Sequence, residues 1–122
     1  MSFLLLTEYF FYLFEDMSLD ERKVSILDDN AIFLKENIDC ENGLLEYMVR
    51  IGALTERQVD SIHTHPNACD RSEALLGIIR RGNRRQYDMT AEALIALNQR
   101  DVANVLIRGG GKHVLFIIAD NE

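Results

Sequence analysis

The residues best suited to chemistry in this 122-residue chain lie near its middle: His63, His65 and Cys69, spaced H-x-H-x₃-C, with a second cysteine at Cys40. Imidazole and thiolate are the donors zinc favours, but a structural zinc site wants four of them, and paired ligands usually come as C-x₂-C. Here the fourth ligand would have to be recruited from Cys40, 23 residues before the first histidine. A cysteine beside histidines also suits nucleophilic catalysis, which further needs a cleft and a third group to orient the base. The sequence supplies neither, so the loop HTHPNA is expected to be polar and inert. Gly109, Gly110 and Gly111 precede Lys112 without the strand or the spacing of a phosphate-binding loop. Asp28 and Asp29 are adjacent, so on a helix they point to different faces and cannot act as a catalytic pair. No enzyme activity, cofactor or metal is expected.

The remaining charged cluster is Arg80, Arg81, Arg84 and Arg85 around Gly82. Cations in the last turn of a helix are stabilised by its dipole, and the same cluster could serve as a protein contact. RNA is a poorer fit, because no aromatic residues interleave for base stacking apart from Tyr87, which is expected inside. The net charge of −7 also disfavours nucleic acid, whose phosphates call for a basic face.

These residues must be positioned by helices. Hydrophobic residues make up 48 % of the chain, enough for one core, and a single proline leaves long stretches without a breaker. Apolar spacing is helical across residues 19–107. The first helix is expected over residues 20–37, with Val24, Leu27, Ile32 and Leu34 on its apolar face. Asp39, Glu41 and Asn42 offer caps for a second, whose buried stripe is Leu44, Leu45, Met48 and Val49 and which ends at Gly52. Thr55 and Gln58 have the form of a capping box for a third, with Val59 and Ile62 inward. Asp70 and Glu73 suggest the start of a fourth, burying Ala74, Leu75, Ile78 and Ile79 and stopping at Gly82. A fifth, residues 84–97, buries Tyr87, Ala91, Leu94 and Ile95. Asn98 caps a sixth, with Val102, Val105 and Leu106 inward. Short loops between such helices make an all-α, six-helix antiparallel bundle.

The ends differ in character. Residues 1–16 form a hydrophobic N-terminal extension, too short to span a bilayer and interrupted by Glu8, with neither the basic start nor the cleavage site of a signal peptide. An additional packed or partner-dependent helix is the expected role, with a start at Met17, which opens MSLDERK, and membrane contact the alternatives. Residues 109–122 form a glycine linker and a strand-like tail containing HVLFIIA. Two cysteines without a secretion signal point to free thiols in a reducing, cytoplasmic setting.

Over residues 17–108 the pattern resembles the caspase recruitment domain, or CARD, of the death-fold superfamily. The resemblance is carried in order by LDDN ending at Asn30, LLEYMVRIGALT from Leu44 to Thr55, the loop at Pro66, ALLGIIRRGN from Ala74 to Asn83, YDMTAEAL from Tyr87 to Leu94, and NQRDVANVL from Asn98 to Leu106. The THPN loop and the LLEYM helix look most like the CARDs of apoptosome scaffolds. The resemblance implies a non-enzymatic module that pairs with another CARD, on a caspase or an adaptor, in apoptotic signalling. The alternatives are an initiator-caspase prodomain or an adaptor of innate immunity, and a homo-oligomer formed on activation. CARD pairs commonly set an acidic face on the second and third helices against a basic face on the first and fourth. The acidic face would hold Asp39, Glu41, Glu46, Glu56 and Asp60. The basic face would hold Lys35, Arg71, Arg80, Arg81, Arg84 and Arg85. It departs from the family pattern where Ala31 replaces a frequent arginine and Asn67, Ala68 and Ser72 replace basic residues, which suggests that this chain presents the acidic half.

Overall fold

Asp20 begins the first helix by accepting a hydrogen bond from the Lys23 backbone N–H at 2.8 Å, which satisfies one of the donors that a helix start leaves open. The computed structural model describes residues 18–109. The extension, the strand-like tail and the last two glycines of the linker lie outside them. Seven helices occupy the described residues: α1 Glu21–Asp29, α2 Ala31–Asn37, α3 Leu44–Arg50, α4 Glu56–His63, α5 Ala68–Arg81, α6 Arg84–Ala96 and α7 Arg100–Arg108. Among these residues there is no strand, only an isolated antiparallel bridge between Ser18 and Asn83. The described residues are therefore all-α.

The seventh helix arises because the segment expected as one helix over residues 20–37 is two. At Asn30 the side chain donates to the Ile26 carbonyl at 2.8 Å, the same oxygen that accepts the Asn30 backbone N–H at 3.1 Å. A short amide side chain that competes for backbone partners disfavours a helix interior, and Asn30 leaves helical geometry at φ −110°, ψ 18°. The break re-aims α2. Leu34 is fully buried, whereas Ile32, expected inside, is 69 % exposed. Val24 is only half-buried, and Ile26 and Leu27 hold the inner face of α1.

Other helix ends also shift. α3 has no side-chain cap: Gly43 precedes it in left-handed geometry at φ 98°. Asp39 instead ties the preceding turn, accepting from the Glu41 N–H at 2.8 Å and from Asn42 Nδ2 at 2.6 Å. The cap of α5 lies three residues before the expected Asp70, at Asn67, whose Oδ1 accepts the Asp70 N–H at 2.8 Å. Asn98 closes α6 rather than opening α7. It takes φ 64° while the Gln99 N–H returns to the Leu94 carbonyl at 2.7 Å, the reversal that asparagine tolerates next after glycine. The capping box at α4 forms as expected, with Thr55 and Gln58 exchanging bonds of 3.0 and 3.1 Å.

The inner faces meet in one core. Leu34, Leu44, Leu45, Met48, Ile62, Leu75, Ile79 and Leu94 are wholly buried. Ile95, expected among them, is 38 % exposed, and Ala93 is buried in its place. α6 packs on α7 and α3, α2 on α5, and α4 on α3 and α5. Tyr87 is buried yet satisfied, its hydroxyl donating to the Leu106 carbonyl at 2.7 Å. Two loops remote in sequence are clasped by Gln99, whose Nε2 donates to the Asp39 carbonyl and whose Oε1 accepts the Asp39 N–H, both at 2.9 Å. A Cβ at Gly82 would meet Oε1 of Gln86, so a larger residue there would displace the side chain whose Nε2 holds the Ala53 carbonyl at 2.8 Å.

Candidate protein-interaction surface

Glu46 sits in the first turn of α3, a helix seven residues long whose other side is anchored by Leu44, Leu45 and Met48 at zero exposure. Those three fix the helix rotation, and Glu46 falls outside their stripe, in solvent. On α4 the same logic places Glu56 and Asp60 outward, one turn apart, opposite the buried Val59 and Ile62. None of these three carboxylates has an ion-pair partner among the described residues. α3 packs against α4, so the two helices expected to carry the acidic face are neighbours. Arg50 is also exposed on α3, its guanidinium 5.5 Å from the Tyr47 ring.

Asp39 and Glu41 are engaged differently. Asp39 is half-buried and occupied by its turn and by Gln99. Glu41 is exposed and accepts from Arg71 Nη1 at 2.7 Å. This bond joins a residue expected on the acidic face to one expected on the basic face. Arg71 Nε also donates to the His65 carbonyl at 2.9 Å, so the arginine braces the loop before α5.

The arginines around Gly82 do not form one patch. Arg80 grips Asp28 of α1 with two bonds of 2.8 and 3.0 Å. That bidentate pair lowers the Asp28 pKa and raises that of Arg80. Arg84 binds the Asp20 carboxylate, whose pKa is lowered first by the Lys23 backbone N–H and then by Arg84. Arg81 and Arg85 face a different region, a polar cleft shared with Thr55, Gln58 and Gln86. Lys35 is half-buried in a groove between α2 and α5. Pairs of this exposed kind contribute little to stability, but they decide which charges a partner meets unpaired.

The residues first suspected of chemistry do not converge. Among the described residues no group of three or more histidine, cysteine or acidic side chains is placed to hold a metal ion. His63 and Cys69 are exposed and His65 is half-buried, whereas Cys40 is buried with its sulfur 3.8 Å from Ser72 Oγ. Burial pushes the Cys40 thiol up to about 11, away from the thiolate that nucleophilic chemistry needs. No described helix is long and apolar enough to cross a membrane.

Sequence reasoning missed the α2–α5 groove, lined by Leu27, Ala31, Ile32 and Leu76. Its only trace in the sequence is the excess of apolar residues at 31–34, more than one helix face can bury. A scan against protein-family models and searches of curated proteins and of solved structures found no match to this chain.

Proposed function

We propose that this chain is a CARD-like, six-helix death-fold module, its first helix broken at Asn30, that works by pairing with another CARD in cell-death signalling. Its half of the contact is the acidic one on α3 and α4, centred on Glu46, Glu56 and Asp60. One observation carries the choice of face. These three carboxylates have no ion-pair partner among the described residues, while Arg71, Arg80 and Arg84 are each bound to an acid of their own chain. A partner's arginines would find three open acids on one side, whereas on the other, half of the cations (Arg71, Arg80 and Arg84) are already matched and Lys35, Arg81 and Arg85 are left. Complementary charge of this kind sets specificity and association rate more than raw affinity. The ordered series of motifs from Leu44 to Leu106 supports the family assignment. The role is that of an adaptor, scaffold or regulator in the cytoplasm, without catalysis.

The test is a binding screen of the chain against CARDs that carry exposed basic faces. Capture that weakens with added salt and with charge reversal at Glu46 is the expected result. Binding that ignores Glu46 but is lost on Arg85→Glu would reverse the assignment of faces. Failure to bind any CARD would remove the family reading.

A further inference from the structure

Ser18 is exposed and lies ahead of α1, where it makes the isolated antiparallel bridge to Asn83 in the turn between α5 and α6. Residues opposite one another in such a bridge project their side chains to the same face. Asn83 aims its Oδ1 at the start of α6, accepting the Gln86 N–H at 2.8 Å. Ser18 shares that face and lines the polar cleft of about 430 Å³ between this turn and residues 52–58.

The cleft is cationic. Its charged lining residues are Arg81 and Arg85, and no carboxylate joins them. Neither arginine makes an ion pair among the described residues. Arg85 extends its guanidinium over Gly52, where an added Cβ would lie 3.7 Å from Nη2. Arg81 folds back over Gly77, toward a second cleft that holds Asp70 and Glu73, and reaches the first by a rotamer change. Arg84 is bound to Asp20. Glu56 and Asp88, the acids nearest in sequence to Thr55 and Arg85, are exposed and do not line the cleft.

Ser18 also stands in a sequence that suits acid-directed serine kinases, with Asp20 and Glu21 at the second and third positions after it. Residues 18–20 are outside any helix, and Glu21 is exposed. Ser25 has an acid three residues on as well, but it lies inside α1, and that acid, Asp28, is gripped by Arg80.

We propose that Ser18 is a phosphorylation site whose phosphate seats in this cleft against Arg85, with Arg81 swinging in as the second cation. In the transfer, the Ser18 hydroxyl oxygen bonds the γ-phosphorus of ATP as the bond from that phosphorus to the β–γ bridging oxygen breaks. ADP leaves, and the hydroxyl proton passes to the kinase's base. Charge-assisted hydrogen bonds from arginine to the phosphate then pin the start of α1 to the α5–α6 turn. The site does not depend on the CARD reading. Under that reading, the modification closes two of the three cations still open on the basic face and leaves the α3–α4 acids untouched.

The experiment treats the full chain and its Ser18→Ala variant with casein kinase II and magnesium ATP, locates the phosphate by mass spectrometry, and follows it by phosphorus NMR against pH. Phosphate at Ser18, missing from the variant, is the expected product. Phosphoserine ordinarily passes from mono- to dianion near about pH 6. A neighbouring guanidinium favours the dianion, so the midpoint should fall by about one unit relative to the same phosphorylated chain unfolded in urea. Arg85→Gln should return at least half of that fall and Arg81→Gln a smaller part. Both arginines are exposed, so melts of the two variants should match the parent. No phosphate on Ser18 overturns the proposal. So does a midpoint that is equal in the folded and unfolded chains, or a lowered midpoint that neither substitution moves. Because no partner is present, failure here is distinct from a failure to bind a CARD.

Discussion

Arg71 reaches across 30 residues of sequence to donate to Glu41 at 2.7 Å, fastening the start of α5 to the turn that leads into α3. Both side chains are partly exposed, so the pair is worth about 0.2–1 kcal/mol. A double-mutant cycle with Glu41→Ala and Arg71→Ala should return a coupling in that range. Arg71→Ala alone should cost more than Glu41→Ala, since it also frees the His65 carbonyl. Arg71→Glu places two carboxylates together beside α3, so binding data for that variant must be read against its melting curve.

Charge reversal at Glu46 separates surface from core. Glu46→Arg removes an attraction and adds a repulsion, so it should weaken binding to a basic CARD more than Glu46→Ala does. A desolvated pair lost in this way costs ~2–5 kcal/mol, well over tenfold in affinity. Folding should change by less than about 0.5 kcal/mol, as at other exposed sites. Calorimetry of binding with a melt as control measures both. Asp60→Arg should behave alike, and Arg85→Glu should matter less.

Leu75 and Leu94 are both at zero exposure, and truncating either to alanine should cost ~2–5 kcal/mol by emptying core volume. Ile95→Ala, on the same helix as Leu94 but partly in water, should cost about half as much or less. Denaturant titration of the three variants checks the order.

Cys40 gives the alkaline limit of stability a specific source. Its thiol is held at about 11 by burial, against an ordinary value of 9.0. The folded state thus favours the protonated form. That contribution is full below about pH 9 and is lost as pH rises through 11. Melting temperature should fall across this window, and less steeply in Cys40→Ala. Tyr87, raised mainly by burial, maintains part of the decline. An aromatic disulfide reagent should titrate exposed Cys69 in the native chain and reach Cys40 only on unfolding.

Local rules were legible in the sequence where one helix turn contains the whole interaction. The Thr55–Gln58 box, the inward Val59 and Ile62, and the exposure of Glu46 follow from spacing of three and four. The break at Asn30 was not legible, because it depends on one amide winning a carbonyl from an otherwise periodic helix. Losing the break misplaced Ile32 and hid the groove. Asn98 was misread for a related reason: asparagine suits both a helix start and a left-handed end, and only the neighbouring Leu94 carbonyl decides. The charge pairs Asp28–Arg80 and Glu41–Arg71 join positions 52 and 30 residues apart. No linear pattern encodes such distances, so a tally of acids and bases could not say which were already matched.

The Gln99 clasp on Asp39 bears on the order of assembly. Packing between helices that follow one another, such as α6 on α7, can form early, whereas this pair of hydrogen bonds closes a loop of 60 residues. The entropy of that closure must be met before the bonds add anything. The clasp therefore belongs after the rate-limiting barrier, and its removal should act on one limb of a chevron plot. Gln99→Ala should quicken unfolding while leaving the refolding rate nearly unchanged, so that this residue governs how long the assembled chain persists more than how quickly it forms.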